Sequence, residues 1–298
     1  MGMPAIEPLL AILSNGQHSA APPSRPVPWW SFTKTVLAAA ALRLVDRGKL
    51  ALDEPLPEQS YTLRQLLQHT SGVRNYTQLA SYADAVRTGQ PPWPPEEMLK
   101  RVAGELPAFP PNTTWAYSNT GYYIVRTIMQ DVTGDPLEQV LDRLVFSPLG
   151  VSGVIVGKTP ADLAVSQWGN ATRYDPQWVY HGLLIGSATA AARTLDGILH
   201  GNILPDWLLA AMCKPMPLGK EIPGRPGRNF GYGLGLMIAL DGPAGPSYGH
   251  TGHDWTSVAA VYHFSGLQPP RTIAAFLPGD HEAKVEWAAV TAALESRP

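Results

Sequence analysis

Residues 31–48 read SFTKTVLAAAALRLVDRG, and this stretch decides the fold. Val36, Leu37, Ala40, Ala41, Leu44 and Val45 recur at helical spacing, which predicts a helix from Phe32 to Arg47. Gly48 stands where a glycine just beyond the C-cap ends a helix. Apolar residues cover almost the whole circumference, so the helix is expected at the centre of the molecule. Ser31 and Lys34 at its start share a helical face, and the amine can reach the serine oxygen. The helix N-terminus favours negative charge developing there. A serine hydroxyl is a weak nucleophile until a base takes its proton, and a desolvated lysine can serve. SxxK spacing alone is a weak signal; its placement on a buried helix carries the argument. The plainer alternative makes Ser31 an N-cap and Lys34 a snorkelling side chain. Against it, a lysine in the first turn of a buried element needs a partner.

Outward from this helix the chain divides by texture. Leu10 to Ser14, Asn15-Gly16 and Gln17 to Ser19 read as a small hairpin, joined to Trp29-Trp30-Ser31 by the proline-rich stretch from Pro22 to Pro28. From about Asp53 to Gly182, helical periods such as Leu63 to Gln68 and Gly121 to Val132 alternate with proline-rich loops at Pro91 to Pro95 and Pro107 to Pro111. After a helix from Thr189 to Leu199, the texture becomes β-like: Tyr232 to Leu240, Ser247 to His250, Ser257 to Phe264 and Arg271 to Leu277. Glu282 to Ser296 closes as an amphipathic helix. The expected architecture is α/β of the α+β type. An antiparallel sheet of about five strands is built from both termini and flanked by helices. Residues 1–55 and 185–298 form the sheet lobe, residues 56–184 an inserted, mainly helical lobe, and the active site lies between them.

Composition bounds the function. With 45% hydrophobic and 15% charged residues over 298 positions, the chain can bury a full core. A net charge of -2, with no lysine and arginine cluster, argues against a nucleic-acid partner. No apolar run approaches the roughly 18 residues that span a bilayer, so no membrane partner is expected. Cys213 is the single cysteine, which excludes an intramolecular disulfide and a thiolate zinc site. With no cationic n-region or long h-region at the start, the expected location is cytoplasmic. Composition leaves the oligomeric state open.

Two further segments supply chemistry. Tyr117-Ser118-Asn119 offers a phenol able to relay a proton and an amide able to bind lysine and a substrate carbonyl. Gly249-His250-Thr251-Gly252-His253 ends a strand, and such an edge can pair with a substrate backbone. Taken singly, Tyr117 reads as a core tyrosine and the glycine-rich segment as a turn.

In order, SxxK, YxN and HTG resemble the motifs of the penicillin-recognising serine hydrolases. The likeness is to the branch holding class C β-lactamases, D-alanyl-D-alanine carboxypeptidases, D-aminopeptidases and β-lactamase-like (family VIII) esterases. Residues 66–72, LLQHTSG, are similar to the family's LLxHTSG segment, and residues 230–235, FGYGLG, resemble its GYGLG strand. The resemblance runs from about Ser31 to Leu277. It implies a β-lactamase-like fold and an acyl-enzyme on Ser31, with Lys34 and Tyr117 sharing the proton transfers. Asn119 orients lysine and substrate, the backbone N–H groups of Ser31 and His253 form the oxyanion hole, and His250, Thr251 and Gly252 bind substrate. No cofactor and no metal is implied. The substrate is a small ester, D-amino-acid amide or lactam.

Two departures qualify the resemblance. Only 30 residues precede Ser31, so the first strands are expected to be short and the sheet trimmed. His250 stands where true β-lactamases carry lysine, and a neutral histidine binds a carboxylate less well, so β-lactam hydrolysis ranks below ester and amide cleavage. Trp29, Trp30, Trp115 and Trp255 flank these segments; lining the cleft, they would favour an apolar or aromatic acyl group. Two rivals are a metal site on His250, His253 and Asp254, whose spacing matches no HExxH pattern, and a penicillin-binding-protein-like scaffold without turnover.

Overall fold

In the computed structural model, which describes residues 7–14, 17–19, 25–104, 107–168 and 174–295, the expected central helix is α1 (Thr33–Asp46). A 3₁₀ turn, Trp30–Phe32, precedes it. Gly48 follows in the left-handed conformation at φ +65°, its N–H donating to the Val45 carbonyl at 2.9 Å. Every residue from Thr33 to Leu42 is buried, as an all-round apolar surface requires. The two buried threonines are satisfied and tie the helix down. Thr33 Oγ1 accepts from the Leu184 N–H at 3.1 Å, and Thr35 Oγ1 donates to the Gly235 carbonyl at 2.6 Å.

The main sheet is antiparallel and draws on both ends of the chain. It comprises β1 (Leu9–Ser14), β2 (Gln17–Ser19), β6 (Met216–Glu221), β7 (Arg228–Tyr232), β8 (Met237–Asp241), β9 (Ser247–His253), β10 (Ser257–Phe264) and β11 (Arg271–Pro278). Its eight strands run in the order β2-β1-β11-β10-β9-β8-β7-β6, so it is larger than the five expected and is not trimmed. The Asn15-Gly16 turn lies outside the described residues. A second sheet places β3 (Val27–Pro28), β5 (Leu183–Gly186) and β4 (Ile155–Gly157) side by side. Around the sheets lie α2 (Leu63–Leu67), α3 (Ala80–Arg87), α4 (Pro95–Ala103), α5 (Asn119–Thr133), α6 (Leu137–Leu141), α7 (Pro160–Ala164), α8 (Ala188–Leu199), α9 (Asp206–Cys213) and α10 (Glu282–Glu295).

Strand β10 is buried along its whole length, and its alternation sorts two cores. Ala259 and Val261 join the cluster that contains α1, while Val258, Ala260 and Tyr262 join the one beneath α10. The expected strand from Tyr232 to Leu240 is instead two strands joined by a turn. There the Gly233 N–H bonds the Leu236 carbonyl at 2.8 Å, the Leu234 N–H donates to Met212 and the Gly235 N–H to Leu67. The turn seats on α1, where a Cβ at Gly235 would stand 2.5 Å from the Ala38 Cβ. A leucine at position 38 has no room beneath this turn. Ala38→Leu is therefore expected to cost about 1–3 kcal/mol of stability, read from urea unfolding with the m-value unchanged.

Candidate active site

The 3₁₀ turn before α1 presents Ser31 at the edge of the buried interior. Trp30 sits at φ +45°, an uncommon conformation for a bulky residue. Its indole Nε1 donates to Ser257 Oγ at 2.9 Å. The next sheet strand fixes the chain from the other side: the Trp29 N–H donates to the Leu184 carbonyl of β5 at 2.8 Å, and Pro28 pairs with Ile185. Ser31 is not the N-cap of α1. That position belongs to Phe32, without a side-chain cap, so the serine hydroxyl is not consumed in capping.

The hydroxyl instead faces an amine and a phenol. Lys34 Nζ lies 3.0 Å from Ser31 Oγ, within hydrogen-bond reach, as spacing of three residues allows. The Tyr117 hydroxyl shares a hydrogen bond with Ser31, and its ring lies under the lysine, with Nζ 5.0 Å from the centroid. Lys34 is completely buried, and desolvation holds its pKa well below the ordinary lysine value; Glu282 opposes this weakly. Burial drives the Tyr117 phenol upward, so it stays protonated. Burial acts on the two groups in opposite senses: it favours the neutral form of the amine and the protonated form of the phenol.

The second partner of Lys34 is His181, whose Nε2 lies 3.1 Å from Nζ. Asn119, at the start of α5, lines the cleft, but its Nδ2 donates to Asn75 Oδ1 at 3.3 Å. His181 carries no motif in the sequence. Its one signal was a polar residue two positions before the apolar run of β5. His250 is buried and turned inward: Tyr232 Oη meets its Nε2 at 2.9 Å, and Nδ1 donates to the Thr251 carbonyl. Burial, with Lys34 nearby, lowers its pKa to about 3, so it is neutral. Both ring nitrogens are engaged, which leaves none for a metal. Among the described residues no group of three or more His, Cys, Asp or Glu is arranged to hold one.

Strand β9 brings the third segment to the serine. Its ladder with β8 runs only from Ser247 to Gly249, whereas its ladder with β10 continues to His253. The edge from His250 to His253 is therefore left facing the cleft. Gly252 lies against Ser31, and a Cβ there would stand 2.3 Å from the Ser31 backbone nitrogen. The cleft is about 990 Å³, and Trp30, Tyr82, Trp115, Tyr174, Phe230 and Trp255 contribute to its walls. Of the four tryptophans singled out in the sequence, Trp29 is core, while the other three line the cleft. Trp255 is 62% exposed at the tip of the β9–β10 turn, edge-on to Tyr174 at 6.3 Å. Asp254 Oδ1 pins that turn by accepting from the Thr256 and Ser257 N–H groups at 2.7 and 3.0 Å.

A family model described as Beta-lactamase matches residues 10–282. The chain belongs to the Beta-lactamase family. Esterase EstB of Burkholderia gladioli is 29% identical over 315 aligned positions, covering 82% of this chain and 79% of the esterase. A D-aminopeptidase of Cereibacter sphaeroides is 33% identical over 194 positions, which cover 61% of this chain and 35% of that enzyme. The solved D-amino acid amidase of Ochrobactrum anthropi SV3 superposes with a TM-score of 0.78 at 20% identity, covering 95% of this chain and 93% of the amidase. The last likeness shows the fold. The β-lactamase-family chain is thus a hydrolase of the β-lactamase-related class.

At the far end of the cleft, Arg225 Nη2 reaches Glu282 Oε2 at 2.6 Å and Thr251 Oγ1 at 3.5 Å, and its Nε lies 3.3 Å from Glu286 Oε2. Burial raises the Glu286 carboxyl to about 7, against the pull of Arg225. Sequence reasoning did not find this cluster, because its members are scattered over a loop and α10. The contact between Gly252 and Ser31 gives a direct test of the strand's role. Gly252→Ala is expected to lower kcat by about 10²-fold or more by displacing the Ser31 N–H, while the melting temperature moves by a few degrees. Stopped-flow or steady-state ester assays check it.

Proposed function

We propose that this protein is a serine hydrolase that cleaves short-chain esters or D-amino-acid amides through an acyl-enzyme on Ser31. The observation that carries the reading is the buried amine of Lys34 at 3.0 Å from Ser31 Oγ. Ser31 Oγ attacks the carbonyl carbon while its proton passes to Lys34 Nζ. The oxyanion is held by the N–H groups of Ser31 and His253. The ammonium returns the proton through the Tyr117 hydroxyl to the leaving oxygen or nitrogen, and the acyl-enzyme forms. Water then attacks the ester, its proton going to Lys34, and Ser31 Oγ leaves reprotonated. The directions of the pKa shifts support Lys34 as first acceptor, since the phenol is held protonated and the amine is driven toward its neutral form.

Charge supports the substrate class. His250 is neutral, and Arg225 lies between Glu282 and Glu286, so a substrate carboxylate meets no uncommitted guanidinium beside Thr251. A β-lactam, whose carboxylate needs such a cation, ranks below neutral esters and amides. The esterase and D-aminopeptidase relatives agree with that order. The aromatic walls favour an apolar or aromatic acyl group. The cleft is lined both by Asn75, Tyr82 and Tyr117 and by Ser31, Thr251 and Glu282. This fits the division into a sheet lobe (1–55 and 185–298) and a helical lobe (56–184). The complete Ser31, Lys34 and Tyr117 constellation speaks against a scaffold without turnover.

A panel of a p-nitrophenyl short-chain ester, a D-alanyl p-nitroanilide and a chromogenic cephalosporin tests this reading. Ester turnover is expected to exceed cephalosporin turnover and to fall at least about a thousandfold in Ser31→Ala. Because Lys34 must be neutral, kcat/KM is expected to fall as pH drops through the lysine's lowered pKa. The raised pKa of Tyr117 adds no alkaline limb in the working range. Equal activity of wild type and Ser31→Ala contradicts the reading.

A further inference from the structure

Lys34 is short of acceptors. A neutral amine has one lone pair and two hydrogens, and it can take the Ser31 proton only when the lone pair points at Oγ. Its hydrogens are then directed away from Oγ, and an acceptor there fixes the amine's orientation. Among the described residues the YxN amide does not supply one: the hydrogen bonds of Lys34 Nζ go to Ser31 Oγ and His181 Nε2, and none joins it to Asn119. Besides Ser31, the hydrogen-bond partner of the amine among the described residues is His181 Nε2 at 3.1 Å.

His181 is fixed as firmly as the nucleophile, and by the same strand. It lies two residues before β5, whose Leu183–Gly186 ladder pairs with Val27 and Pro28 immediately upstream of Ser31. The imidazole is 2% exposed, and its Nδ1 has no hydrogen-bond partner among the described residues, so Lys34 is its polar tie. The groups whose charge acts on it are Lys34, Arg126, His250 and His69, with the Tyr122 ring edge-on at 6.5 Å. None is a carboxylate, so the imidazole stays neutral and keeps a lone pair to offer. A protonated ring would present only N–H to the amine and set a second cation against the ammonium formed during acylation.

We propose that His181 is the positioning residue of the active site: its neutral Nε2 accepts an N–H of Lys34 and so turns the amine's lone pair onto Ser31 Oγ. The proposal rests on Lys34 being the base. It assigns His181 the Nδ1–H tautomer, and it makes the imidazole a stabiliser of the lysine ammonium, since an acceptor favours the charged donor more than the neutral one.

Two measurements test it. In ester hydrolysis, His181→Leu, which has no acceptor, is expected to lower kcat about 10²-fold with KM little changed, and to move the acid limb of the kcat profile to lower pH. His181→Gln, whose amide oxygen can accept, is expected to recover most of that loss. A His181→Leu protein with wild-type kcat and an unmoved acid limb overturns the proposal. So does a loss in kcat that leaves the limb in place and that glutamine does not rescue. Nitrogen-15 NMR of the histidines in the unaltered protein needs no variant to fold. An unprotonated Nε2 at His181 from pH 6 to 8 is expected, and an Nε2–H signal overturns the proposal. Ser31→Ala separates the two readings: if it stays active, Ser31 chemistry fails, whereas a dead Ser31→Ala beside an unaffected His181→Leu removes His181 alone.

Discussion

The arrangement depends on one constraint, the complete removal of the Lys34 amine from water. An ammonium in such a place needs a carboxylate, and the site gives it a hydroxyl, an imidazole and aromatic faces. The electrostatics therefore settle on the neutral amine, the form with a lone pair for the Ser31 proton. Three buried histidines nearby, His69, His181 and His250, are all shifted downward, each by burial first and by Lys34 second. A site so short of negative charge accommodates few protons. In the proposed mechanism it accepts one briefly from serine and passes it on through a phenol that burial keeps protonated.

The fold serves this constraint from three directions. Helix α1 is apolar enough to be central, which buries the lysine. Strand β5 and the short β3 hold the turn that carries Ser31, and the same strand positions His181. Strand β9 runs past its ladder with β8 and lays Gly252 on the Ser31 nitrogen, where any side chain would intrude. Aromatic residues from the 3₁₀ turn, the helices and the β9–β10 hairpin then close the walls of the cleft around an opening that Trp255 borders.

Much of this was legible in the sequence because it is local or periodic. The central helix, the terminal hairpin, the long strands β10 and β11 and the spacing of Ser31 and Lys34 are all written in neighbouring residues. What was not legible is written across distance. Strand β6 contains Pro217 and Gly219, residue types that break a strand pattern, and it lies on the sheet edge with a bulge between those residues. The β7–β8 turn hid inside an apolar run because its backbone bonds go to Met212 and Leu67, far away in sequence. The strands of the small sheet are two to four residues long, too short for a period to show. His181 was missed for the same reason, since its meaning comes from a partner 147 residues away.

The most direct test of the account is an NMR titration of the lysine side chains, following the ¹³Cε and ¹⁵Nζ signals, with Lys34 assigned by its disappearance in Lys34→Met. Lys34 is expected to titrate well below the other lysines and to be neutral under the conditions in which the enzyme turns over. A Lys34 signal that titrates with the surface lysines near about 10.4 would contradict it, because the serine would then have no base beside it.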